Sequence, residues 1–138
     1  MGGEPLILLD THALIWLIST NSSLGRSSKE SIDRAFATDQ VCVSAVSFWE
    51  VAMLASKRRI TLNDKVSVWR SNVLKLGIVE IPFRGDIAIA AVELPRLHGD
   101  PADRAIVATA MLHEAILYTA DDRLLRWRSP LRRFDARK

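Results

Sequence analysis

Apolar residues fall along this chain in two patterns, short unbroken runs and stripes at helical spacing. PLILLD (5–10), VCVSA (41–45) and ILYTA (116–120) are largely apolar runs of strand length, and IVEIP (78–82) is a further strand stopped by Pro82. Runs like these suit strands buried on both faces, as in a parallel sheet. Between them lie segments with helical periodicity. HALIWLIS carries Ala13, Leu14, Leu17 and Ile18, and residues 65–76 carry Val66, Trp69, Val73 and Leu76 on one side. SFWEVAMLASKR, residues 86–94 and residues 101–114 read as three more helices, and DDRLLRW as a short one. Ser27-x-x-Glu30 has the form of a capping box, predicting a helix to about Thr38. Gly77 stands where a helix commonly ends in a left-handed residue. Asp100-Pro101-Ala102-Asp103 combines a good N-cap, a proline at the first helical position and an acid in the first turn. LRRFD (131–135) suits a short edge strand.

Strands alternating with helices define an α/β fold: three layers, with a mainly parallel sheet of four to five strands and helices on both faces. No repeat, linker or low-complexity tract divides residues 1–138, so a single domain is expected.

Charge changes the picture little in total and more in distribution. Nineteen Lys and Arg stand against 16 Asp and Glu, a net +3. From Arg123 to Lys138 seven basic residues face only Asp135. Such a stretch can hold phosphates, or it can be a solvated helix face and chain end. The lone Cys42 lies in an apolar run, which suits a small core residue and a reducing compartment. The run Leu6–Leu9 is too short for a signal peptide or membrane span. The opening Met-Gly-Gly-Glu-Pro-Leu lacks the hydroxyl residue of a myristoylation signal. A cytoplasmic protein with no membrane partner is expected.

The chemistry lies in the acids. Asp10 ends the first strand run, Asp121 follows the fourth, and Asp100 and Asp103 open a helix. In open α/β sheets the functional cleft lies beyond the carboxyl ends of the strands. Acids scattered in sequence therefore converge there. Glu50 shares a helix face with Val46, Met53 and Leu54. A carboxylate on such a stripe is unfavourable unless paired or bound to a cation. Hard oxygen donors select Mg²⁺ or Mn²⁺. The histidines His12, His98 and His113 are isolated in sequence and have no zinc-site spacing. A carboxylate-held Mg²⁺ commonly serves phosphoryl chemistry, here phosphodiester hydrolysis by an activated water. Each acid also has a plain structural role open to it. Asp10, Asp100 and Asp121 can each cap a helix, and Asp103 can simply complement a helix dipole.

Taken in order, LLDTHALIW, VSAVSFWEVA, LHGDPADRAIVATA and YTADDRLL resemble the four motifs of PIN-domain proteins, most of all the VapC toxins of toxin–antitoxin pairs. The resemblance runs from Pro5 to about Phe134. It places the four acids of the metal site and of catalysis on Asp10, Glu50, Asp103 and Asp121. It also places small hydroxyls near the site at Thr11, Ser44, Ser47 and Thr119. The family often has Phe where this chain has Ala102. The resemblance implies a Mg²⁺- or Mn²⁺-dependent endoribonuclease leaving a 5′-phosphate, a homodimer, and a cognate antitoxin that covers the acidic cleft. On this reading Asp100 lies just outside the metal ligands, and Arg123 and Arg126 grip flanking RNA phosphates. The alternatives are a catalytically silent RNA-binding module and a phosphoacceptor receiver-like domain. The receiver would require an Asp ending the third strand and a Lys near a late strand. Both are lacking. A phosphatase using Asp-x-Asp lacks its second acid at His12.

Overall fold

A computed structural model describes residues 5–138. The opening Met1–Glu4, read above for a lipidation signal, lies outside the described residues. The chain runs β1 (Ile7–Leu9), α1 (Thr11–Ile18), α2 (Arg26–Phe36), β2 (Val41–Ser44), α3 (Ala45–Ser56), α4 (Val66–Lys75), β3 (Val79–Ile81), α5 (Gly85–Glu93), α6 (Pro101–Leu112), β4 (Ile116–Thr119), α7 (Asp122–Arg126) and β5 (Arg133–Asp135). The five strands form one sheet in the order β3-β2-β1-β4-β5, and every pairing is parallel.

The apolar runs of β1, β2 and β4 are buried on both faces, as their composition requires, whereas β3 at the sheet edge leaves Val79 exposed. Ile7, Leu9, Val41, Val43 and Tyr118 point to one side, where α1, α2, α3 and α4 pack with Leu14, Ile32, Phe48 and Val73. Leu8, Cys42 and Leu117 point to the other, against Ile87, Ile106, Val107 and Leu124 of α5, α6 and α7. The two-residue period of the strands thus separates two cores and yields the expected three layers. Cys42 is a buried core residue whose Sγ donates to the Ile7 carbonyl at 3.2 Å. Burial pushes its thiol up to about 12. Among the described residues no helix is long and apolar enough to cross a membrane.

Two local expectations meet different outcomes. Gly77 does adopt a left-handed φ of 100° after α4. The capping box, by contrast, does not form. α2 begins at Arg26 with Gly25 as its N-cap and no side-chain capping bond. The chain's last residues do that work instead: Gly25 N–H donates to Ala136 O at 2.8 Å, and Ser28 N–H to Lys138 O at 3.0 Å. Ser28 Oγ adds a bond to the same Lys138 oxygen. Main-chain acceptors arriving from 110 residues away satisfy the first turn, so Ser27 is not needed as a cap.

The order of the strands places the site. From β1 the chain steps to β2 and β3 on one side, then crosses back to β4 and β5 on the other. β1 and β4 are therefore neighbours flanking a topological switch point, where a crevice opens beyond their carboxyl ends.

Candidate metal centre

Asp10 is the residue after β1. Its Oδ1 accepts Ala13 N–H at 2.9 Å, capping α1. Asp121 stands just past β4 and caps α7 by accepting Arg123 N–H at 2.8 Å, while its own N–H donates to Thr119 Oγ1. Asp100 caps α6, Oδ1 accepting the N–H groups of Ala102 and Asp103 at 3.0 and 3.1 Å. The capping roles and the convergence coexist, because a carboxylate has a second oxygen to present. Asp10, Glu50, Asp100, Asp103 and Asp121 all line one cavity of about 310 Å³, together with Thr11, His12, Trp16, Ala120 and Arg123.

Glu50 arrives from α3. The Thr11 hydroxyl donates to Glu50 Oε1. Ser47 Oγ lies 3.0 Å from Thr11 Oγ1. Thr11 has one proton, given to Glu50, so Ser47 is the donor in that pair. Two buried hydroxyls thus form a relay that steers Glu50 into the cavity. Ser44 plays a different part, its Oγ capping α3 through Val46 N–H.

Burial first, and like charge after it, disfavour ionisation in most of the cluster. Asp10 is 8% exposed. Burial raises its pKa above the ordinary value, against the lowering effect of Thr119 and of the Ala13 N–H. Glu50 is likewise raised by burial, then by Asp100, with the Thr11 bond opposing. Asp103 is pushed up to about 7, first by burial and then by Asp100, Asp121, Glu50 and Asp10 in turn. Asp121 is the exception. Burial disfavours its charge, yet the Arg123 guanidinium and main-chain N–H hold it below the usual range.

Arg123, expected to grip phosphate, is turned toward the acids of the cavity. Its Nη2 lies 3.0 Å from Asp121 Oδ2 and 3.7 Å from Asp103 Oδ2, although the side chain is 62% exposed. Arg126 is exposed at the end of α7 and does not line the cavity. Two more of the basic stretch are committed internally: Arg137 pairs with Asp122 and Asp135, and Arg133 donates to Leu124 O.

Two residues at the site escape sequence reasoning. His98, isolated in sequence, is brought by the loop after α5 to within 3.4 Å of Asp103. Arg104 follows Asp103 and points the other way. Its five N–H groups donate to the carbonyls of Ala91, Val92, Leu94, Leu97 and His98, at 2.7–3.1 Å. It ties the loop that carries His98 and Asp100 to the end of α5. The signal was an arginine beside a helix-opening acid, which sequence alone does not separate from a solvated one.

One exposed guanidinium against five carboxylates leaves the cavity negative. The donors are hard oxygens, and their mutual repulsion is relieved by a divalent cation. The residues therefore fit Mg²⁺ or a similar ion.

This fold, with its acids at the switch point, matches the family model described as "PIN domain" over residues 7–128, and the chain belongs to that family. Within it the chain stands among the VapC proteins. It is 35% identical over 125 residues to "Ribonuclease VapC22" of Mycobacterium tuberculosis, covering 90% of this chain and 93% of that one. Among solved structures it is similar to a toxin–antitoxin complex from Klebsiella pneumoniae, with 27% identity, a TM-score of 0.56, and coverage of 83% of this chain and 86% of that one. It also shares its fold with VapBC2 from Rickettsia felis bound to a promoter DNA fragment, at 16% identity and a TM-score of 0.69, covering 94% and 99%.

Proposed function

We propose that the chain is a divalent-cation-dependent endoribonuclease, the toxin of a toxin–antitoxin pair. The observation that carries this reading is the gathering of Asp10, Glu50, Asp100, Asp103 and Asp121 around one cavity. The relative named a ribonuclease supports RNA as the substrate. Asp10, Glu50, Asp103 and Asp121 would hold Mg²⁺ or Mn²⁺. When bound, the ion supplies a water of lowered pKa and neutralises charge on the phosphate.

The chain's own residues prepare that chemistry. Thr11 and Ser47 orient Glu50, and the helix caps fix Asp10 and Asp121 against the ends of β1 and β4. Asp103, whose burial among acids disfavours its charge, is the carboxylate whose ionisation the cation would most favour. Arg123, exposed and tethered only to acids, can turn to a non-bridging phosphate oxygen once a cation takes its place. In-line attack at phosphorus would expel the 3′-oxygen and leave a 5′-phosphate.

The partners follow from the same charge. An antitoxin segment presenting a basic side chain would compete with the metal for these carboxylates. Exposed Trp49, Phe83, Ile89 and Val92 on and beside α3 and α5 support a homodimer, tested by sedimentation, where a monomer at all concentrations rejects it. We place the protein in the cytoplasm, which cell fractionation checks. The decisive assay compares RNA cleavage by wild type and Asp10→Asn, with Mg²⁺ and with EDTA. Scission is expected only in the wild type with Mg²⁺, and equal cleavage in all four samples rejects the reading.

A further inference from the structure

His98 reaches the cage from the loop between α5 and α6. Its Nε2 lies 3.4 Å from Asp103 Oδ2, and ligand atoms of His98, Asp103 and Asp121 fall within 4.8 Å of one another. Spacing alone would make this a mixed nitrogen–oxygen metal site.

The other ring nitrogen argues against that. The Asp100 N–H donates to His98 Nδ1 at 3.4 Å, which requires a lone pair there. The ring proton is then on Nε2. A protonated nitrogen has no lone pair for a cation. It is a donor, and this one is buried, faces a carboxylate, and makes no hydrogen bond among the described residues. A small rotation of either side chain would complete the bond to Asp103. The backbone that carries the ring is also held, since Arg104 Nη1 donates to the carbonyls of both Leu97 and His98.

We propose that His98 is a positioning residue whose Nε2–H donates to the Asp103 carboxylate and fixes the oxygen that Asp103 turns toward the cation. The inference rests on the metal-cage reading and sharpens it. With the imidazole as donor rather than ligand, the cage is all oxygen, which favours Mg²⁺ and Mn²⁺ over Zn²⁺. Groups that orient a ligand from behind typically change metal affinity by about 10- to 100-fold.

Three measurements test it on the full chain. Nitrogen-15 NMR of the metal-free protein, with the ring neutral, should show the His98 proton on Nε2; a proton on Nδ1 overturns the proposal. Pulsed EPR of bound Mn²⁺ should show no directly coordinated His98 nitrogen; a coupling that disappears in His98→Gln overturns it. Calorimetric Mn²⁺ affinity should fall about 10- to 100-fold in His98→Ala and be largely restored in His98→Gln, whose amide N–H reaches the Nε2 position. No loss in His98→Ala, or a His98→Gln as weak as His98→Ala, overturns it. If the wild type binds no Mn²⁺, the cage reading itself fails, whereas an Nδ1 proton or a coordinated nitrogen defeats only the role of His98.

Discussion

Metal and protons should compete at Asp103. The carboxyl is pushed up to about 7 because it is buried among four other acids. A cation bound to it must displace whatever proton it holds. With half-ionisation near 7, Asp103 is roughly nine-tenths ionised at about pH 8 and one-tenth ionised at about pH 6. The apparent Mg²⁺ or Mn²⁺ affinity should therefore fall about tenfold over those two pH units. Protonation of Asp10 and Glu50, also raised by burial, should add to the fall as the pH is lowered further. The assay is calorimetric titration at several pH values, in two buffers of different ionisation enthalpy so that released protons are counted. Near pH 7 about half a proton should leave Asp103 per ion bound. Asp103→Asn should bind more weakly and lose most of the pH dependence between about pH 6 and 8. An affinity flat across that range, with no proton released, would refute the reasoning.

Further consequences concern stability and geometry. Asp103 has a folded pKa raised above its ordinary value of 3.8. Its contribution is therefore fully present below about pH 4 and lost as pH rises to about 7. The metal-free melting temperature should fall from about pH 5 to 8, Mg²⁺ should restore it at the upper end, and Asp103→Asn should flatten the slope; a rising metal-free profile contradicts this. Thr11→Val removes the donor to Glu50 and should weaken metal binding by about tenfold, with Thr11→Ser near wild type; equal affinities in both variants disprove the relay. Arg104→Met strips donors from five carbonyls and should cost about 2–5 kcal/mol in urea denaturation, with Arg104→Lys, limited to three donors, losing part of that. A change below about 1 kcal/mol counts against the tether. In Gly25→Ala the added Cβ would lie 2.1 Å from the Lys138 main chain. A loss of about 1–3 kcal/mol is expected, and an unchanged urea midpoint would show that the C-terminal segment does not cap α2.

The strands and the acids were legible in the sequence for one physical reason: burial on both faces leaves an unbroken apolar run, and an acid at its end has few uses other than capping or chemistry. PLILLD and ILYTA announced both β1 and β4 and the residues that follow them. The misreadings share another cause. Ser27-x-x-Glu30 satisfies a local rule, but Ala136 and Lys138 reach α2 first, and nothing near residue 27 encodes their arrival. Sequence neighbours suggested Arg123 as a phosphate grip but not its pairing in space with Asp121 and Asp103. His98 stayed hidden because its meaning depends on a loop conformation set by Arg104, whose five acceptors belong to the preceding helix end and loop.

The most direct test of the central claim is anomalous diffraction from crystals soaked in Mn²⁺. The account predicts a peak inside the cavity, within coordination distance of carboxylate oxygens from Asp10 and Asp103, with Arg123 displaced from Asp121. A peak elsewhere on the surface, or none at saturating Mn²⁺, would contradict it.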